Sequence, residues 1–169
     1  MDRTTRQAQL RQKLQHLKQQ QEHQFAQQTL EQLGMSSDRC TYFLPEDPKA
    51  IDCVEWLKCA LPWQWSQIDW AKVPGSLCYP CQKDPQLVAV LKQLCQQFQL
   101  DNPRVTIVWF NARHPIVQME LSVVQQNALA LVSHDWDTWI VEPQAGWCIE
   151  YHHEGTLGFG FGAIKNGIA

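Results

Sequence analysis

Apolar positions recur at helical intervals in the first half of the chain and at strand intervals in the second. Residues 3–33 contain no Gly or Pro and are rich in Gln, Arg, Lys, Leu and Ala. They run into Gly34, so the pattern predicts one long helix ending there. Its apolar stripe is thin. Leu10, Leu14 and Leu17 share a face, Gln21 interrupts it, and Ala26, Leu30 and Leu33 resume on a shifted line. Residues 20–33 are therefore expected to dock, with residues 1–9 mobile, and no heptad run supports a coiled coil. The division predicted is a Gln-rich helix over 1–33 and one α+β domain over 34–169.

Asp47-Pro48 reads as an N-cap and first-turn pair, Ala50, Ile51, Val54, Leu57 and Leu61 as a stripe, and Pro62 as a stop, predicting a helix over 47–61. Trp63 to Cys81 holds three tryptophans, Pro74-Gly75 and Pro80, and is expected to be an irregular loop pinned by aromatic side chains. Asp84-Pro85 repeats the helix-start signal, and Leu87, Val88, Val90, Leu91, Leu94, Cys95 and Phe98 make a substantially buried helix to about residue 99.

After Asp101-Asn102-Pro103 strands are expected. Val105 to Phe110 is a β-branched and aromatic run, and Val117, Met119, Leu121 and Val123 alternate with Gln118, Glu120 and Ser122, which predicts strands over 105–110 and 117–122. Residues 124–134 fit a helix stripe (Val124, Ala128, Leu131, Val132) better than a buried strand. Residues 139–142, 147–152 and 156–161 read as short strands joined by turn residues, which favours antiparallel hairpins. The fold class predicted is α+β, with N-terminal helices on one face of a mostly antiparallel C-terminal sheet.

Composition narrows the function. The chain has 169 residues with 44% apolar content, enough for a core, and a net charge of -3. That charge argues against a nucleic-acid binder. No apolar run approaches the roughly 20 residues needed to span a bilayer, so no membrane association is expected. Seven cysteines without an export pattern suggest a reducing cytoplasm and no disulfide scaffold, with Cys53, Cys59 and Cys95 expected to be at least partly buried on helices. Residues 1–100 carry 11 basic and 10 acidic side chains, and residues 101–169 carry 3 and 7, together with four of the eight tryptophans. Such an acidic, aromatic segment suits a basic partner, although tryptophans that merely fill the core, with carboxylates solvating the outside, would read the same way.

The candidate chemistry is sparse. Cys78-Tyr79-Pro80-Cys81 has the spacing of a zinc or redox pair, but it lacks a second CxxC and the strand–helix context of a thioredoxin, so packed thiols are the plainer reading. His152 and His153 would complete a zinc or thiol enzyme with Cys78 and Cys81 only if the fold gathered them, and adjacent strand residues point to opposite faces. His152-His153-Glu154 lacks the helical HExxH arrangement, and Gly158, Gly160 and Gly162 form no phosphate loop. The alternating glycines instead mark a strand that something approaches closely, such as an aromatic ring from a neighbouring strand. No cofactor, metal or catalytic residue is assigned.

The stretch His134-Asp135-Trp136-Asp137-Thr138-Trp139-Ile140-Val141-Glu142-Pro143, followed by Trp147-Cys148-Ile149-Glu150-Tyr151-His152-His153-Glu154-Gly155-Thr156-Leu157-Gly158-Phe159-Gly160, resembles the ending of small bacterial immunity proteins of contact-dependent growth inhibition and related polymorphic toxin systems. The resemblance covers about 30 of the 169 residues. It implies a non-catalytic immunity protein that binds and neutralises a cognate, basic toxin domain in the cytoplasm. On this reading Asp135, Trp136, Asp137, Trp139, Glu142, Glu150 and Glu154 form the contact surface, with Trp136 or Trp139 as partly exposed anchor, on a monomer or weak dimer. The alternatives are a generic protein-interaction module and the small enzyme described above.

Overall fold

The computed structural model describes residues 3–81 and 84–163. The helices are α1 (Arg3–Gln32), α2 (Pro48–Ala60), α3 (Asp84–Gln97), α4 (Leu121–Gln126) and α5 (Ala128–Val132). The strands are β1 (Cys40–Phe43), β2 (Trp63–Gln64), β3 (Gln67–Ile68), β4 (Leu77–Pro80), β5 (Arg104–Trp109), β6 (Ile116–Glu120), β7 (Thr138–Glu142), β8 (Trp147–His152) and β9 (Thr156–Phe161), with a 3-10 turn at Trp70–Lys72. Seven strands form one antiparallel sheet in the order β1-β6-β5-β7-β8-β9-β4, while β2 and β3 make a separate hairpin. This is the expected α+β class.

Local signals explain the helix limits. Beyond α1, Gly34 adopts φ +66°, Met35 N–H donates to Leu30 O (2.9 Å) and Gly34 N–H to Glu31 O (3.0 Å), the paired bonds of a Schellman stop. Ala26, Leu30 and Leu33 are buried, whereas Leu10, Leu14 and Leu17 face solvent. From Arg3 onward the stretch expected to be mobile is helical, and residues 1–2 lie outside the described residues. At α2 the Asp47 carboxylate accepts Lys49 N–H (2.9 Å) and Pro48 occupies the first turn.

Helices cover both faces of the sheet, not one. Val105, Ile107 and Trp109 of β5 join a core with Leu30 and Leu33 of α1, Leu87, Leu91 and Leu94 of α3, and Val124 and Leu131 of α4 and α5. On the opposite face Val108, Val141 and Cys148 pack with Ala50, Cys53, Trp56 and Leu57 of α2 and with Trp70. A strand sandwiched between two such layers has little need for alternation, which accounts for the near-continuous apolar run of β5.

Three segments depart from the expected elements. Residues 63–81 are more regular than a loop: they form the β2–β3 hairpin, the 3-10 turn and β4, an edge strand on β9. The strand expected over 117–122 stops at Glu120, because Asn102 and Pro103 take over the next amides. Leu121 N–H donates to Pro103 O (2.9 Å) and Ser122 N–H to Asn102 Oδ1 (2.8 Å), starting α4. The helix favoured over 124–134 is present but broken at Asn127, whose amide side chain donates to Val123 O (2.8 Å). Among the described helices none is long and apolar enough to cross a membrane.

The glycine pattern of β9 has the cause it suggested. A Cβ on Gly158 would lie 2.1 Å from Trp70 Nε1, and one on Gly160 would lie 2.9 Å from Trp70 Cζ3 and 2.8 Å from Val73 Cγ1. The ring comes from the 3-10 turn laid across the sheet, where a neighbouring strand was expected.

Candidate partner-binding surface

The sheet end where β5 and β8 finish and β7 begins gathers the loops 110–115, 133–137 and 153–155. Most of the carboxylates expected to face a partner turn inward here. Asp135 accepts Asn111 N–H through Oδ2 (2.7 Å) and Trp136 N–H through Oδ1 (2.8 Å). Asp137 is 1% exposed, and its Oδ1 accepts His153 N–H at 2.9 Å. Half-buried Glu142 lies apart from this group, at the opposite end of β7, where it accepts Gln144 N–H (3.0 Å) in the β7–β8 turn. Glu154 alone of the group projects fully into solvent. Short polar segments at strand ends leave unpaired amides, and these acids satisfy them.

Glu150 is the clearest correction to the contact-surface reading. It is 2% exposed and accepts Trp70 Nε1–H (2.7 Å), Trp139 Nε1–H (2.8 Å) and Ile68 N–H (3.1 Å). Burial pushes its carboxyl above the usual glutamate value, partly opposed by these donors. Trp139 is buried against Trp63, its indole anchored on Glu150, so it cannot serve as an exposed anchor without unfolding its surroundings. Of the seven residues expected at the surface, Asp137, Trp139 and Glu150 lie inside the molecule.

Among the described large aromatic side chains the most exposed are Trp136 (67%), Trp65 (94%) and Phe110 (52%), ahead of Phe161 and Phe25. Trp65 sits at the tip of the β2–β3 hairpin with φ +59°, and Phe110 directly follows β5. They border two adjoining depressions. A groove of about 620 Å³ runs between α2, the hairpin and the β5–β6 loop, lined by Ile51, Val54, Trp63, Trp65, Phe110 and Ile116 among others. A second, of about 690 Å³, shares Ser66, Phe110, Asn111 and Ala112 and continues to Asp135, Trp136 and His153. Ile51 and Val54, read from sequence as part of the buried stripe of α2, form a wall of the first groove, since the buried line runs through Ala50, Cys53, Trp56 and Leu57. Trp65 and Phe110 were missed as surface residues. The available signal was the polar setting of Trp65, between Gln64 and Ser66 in a tight two-strand hairpin.

The CxxC pair does not converge on the histidines. Cys78 is exposed on the edge strand, while Cys81 lies buried in the opposite core layer, its N–H donating to Gly155 O (2.7 Å). Burial, with Glu150 nearby, pushes the Cys78 thiol up, the reverse of an activated nucleophile. All seven cysteines are free thiols. Cys53 and Cys95 are buried as expected, but Cys59 is exposed on the outer side of α2. The histidines do meet: the His152 and His153 rings lie 4.2 Å apart, because His153 leaves the strand for the turn. Nearby, burial and the neighbouring His114 ring push the His134 imidazole down.

No curated protein matches the chain. The family described as CdiI immunity protein EcoliA0-like matches residues 42–160, the span from β1 to the last residues of β9. That span holds both depressions and every strand except the opening residues of β1 and the last residue of β9, and it leaves α1 outside.

Proposed function

Because the chain belongs to the CdiI immunity protein family, so that its general role is that of an immunity protein, we propose that it neutralises one cognate toxin domain in the cytoplasm by stoichiometric, non-catalytic binding. The contact is the aromatic rim of Trp65, Phe110 and Trp136 around the paired depressions. The observation that carries this reading is the exposure of three large rings around two adjoining depressions, in a chain that buries its other tryptophans wholly or in large part. Exposed aromatic clusters over concave apolar surface cost solubility and mark interaction sites. Asp135 serves by holding the Phe110–Asn111 and Trp136 backbones in place, and Glu154 by lining the outer edge of the rim.

The test is coexpression with any toxin domain encoded beside this chain, comparing wild type with Trp136→Ala and Trp65→Ala. Both side chains are mainly in solvent, so folding should survive, with stability within about 0.5 kcal/mol of wild type. Truncating a central anchor commonly costs about 2 kcal/mol or more, roughly a 30-fold weaker Kd. Folded variants that bind and protect as well as wild type would place the contact elsewhere. A wild type that gives no protection would defeat the neutralisation reading itself.

A further inference from the structure

The turn between β8 and β9 brings three metal-binding side chains together under Trp136. One ligand atom each from Asp137, His152 and His153 lies within 4.8 Å of the others. His153 Nδ1 is 2.9 Å and His152 Nε2 3.8 Å from the same carboxylate oxygen, Asp137 Oδ1. For a divalent ion held about 2.0–2.1 Å from N and O donors in a tetrahedron, neighbouring donors sit about 3.3 Å apart. The two observed spacings bracket that edge.

The carboxylate is also held in readiness. Asp137 is fixed by the His153 amide, and among the described residues the partners within 4.0 Å that could carry a positive charge are the two histidines, with no Lys or Arg. Among the described residues no permanently charged cation stands beside this buried carboxylate, and a bound metal ion would supply the countercharge. His152 is buried, and its Nδ1 accepts the Glu154 N–H (3.4 Å), which orients the ring with Nε2 turned toward Asp137. Trp136 lies over His153 with ring centroids 4.9 Å apart.

We infer that Asp137, His152 and His153 form a binding site for one borderline divalent cation of the zinc type. The two-imidazole, one-carboxylate donor set suits that class better than magnesium or calcium, which prefer all-oxygen surroundings. Three protein donors leave a fourth position for water or a partner's side chain at the rim of the binding surface. Cys78 and Cys81 take no part.

The experiment is equilibrium dialysis of the untagged full chain against Zn²⁺, with metal measured by atomic absorption, on wild type, His153→Ala, Asp137→Asn and Cys59→Ser/Cys78→Ser. His153 is exposed, so its truncation should leave the fold intact, and near-UV circular dichroism checks this. One equivalent should bind wild type and the double serine variant alike, and at least tenfold more weakly to His153→Ala and Asp137→Asn. Co²⁺ should give a visible spectrum without thiolate charge-transfer bands. The inference is overturned by no stoichiometric binding to wild type, by unchanged binding in folded His153→Ala, or by loss of binding or thiolate bands that place the ion on the exposed cysteines.

Discussion

Gly158→Ala adds one methyl group where the structure has no room for it. The new Cβ would sit 2.1 Å from Trp70 Nε1, 2.4 Å from Cε2 and 2.7 Å from Cδ1. Ordinary carbon contacts lie at about 3.5–4.0 Å, so the indole must retreat by more than roughly 1 Å. It has no free direction along β9, because its Cζ3 already abuts the Gly160 position. Moving away also breaks the 2.7 Å bond from Nε1 to Glu150, leaving a buried carboxylate with one donor fewer. Overpacking costs about 1–3 kcal/mol, and a hydrogen bond to a charged group contributes about 1.5–3 kcal/mol. The expected loss is therefore about 2.5–6 kcal/mol, a large share of a domain's usual roughly 5–15 kcal/mol. Urea unfolding of wild type, Gly158→Ala, Trp70→Ala and the double variant tests this as a thermodynamic cycle. Trp70→Ala alone should cost about 3–5 kcal/mol as a core truncation. In that background the added methyl enters vacated space, so Gly158→Ala should cost under about 1 kcal/mol. A penalty below about 1 kcal/mol in wild type, or an equal penalty with Trp70 absent, would refute the packing argument.

Glu150 and the thiols give two further expectations. Because burial raises the native carboxyl of Glu150 above its ordinary value of 4.5, its protonation favours the folded state. That contribution is complete below 4.5 and is lost as pH rises through the raised native value, so Glu150→Ala should flatten this part of the profile of urea midpoint against pH. It should also lower stability at every pH, since three buried N–H groups lose their acceptor at about 1–3 kcal/mol each. With a thiol reagent at mild alkaline pH, exposed Cys59 should react first and Cys78 more slowly, its thiol being pushed up by burial. Cys53, pushed up to about 11, and the fully enclosed Cys148 should react only on unfolding, and early labelling of Cys148 would contradict the closed core beneath α2.

Much of the secondary structure was legible because its causes are local. Asp47-Pro48 and Pro62 bound α2, Gly34 ends α1, the stripe of Leu87, Leu91 and Leu94 makes α3, and the β-branched run of 105–109 makes β5. Even the need for a ring against β9 was written in Gly158 and Gly160. The family ending was legible too, though only over a fraction of the span that the family covers. The site was far less legible. Trp65, Trp136 and Trp139 look alike as residue types, yet two stand in solvent and one is buried on Glu150. Glu150, Asp137 and Glu154 share a short acidic stretch, yet one receives two indoles, one a turn amide, and one nothing but water on most of its surface. The strand at Leu77–Pro80 and the helix at Leu121 likewise depend on partners far along the chain, β9 for the first and Asn102 for the second. Caps, turns and periodicity act over a few residues and are carried by the sequence itself. Burial and hydrogen-bond partnership arise from contacts across the sheet, so only the folded chain decides which aromatic faces outward and which carboxylate is enclosed.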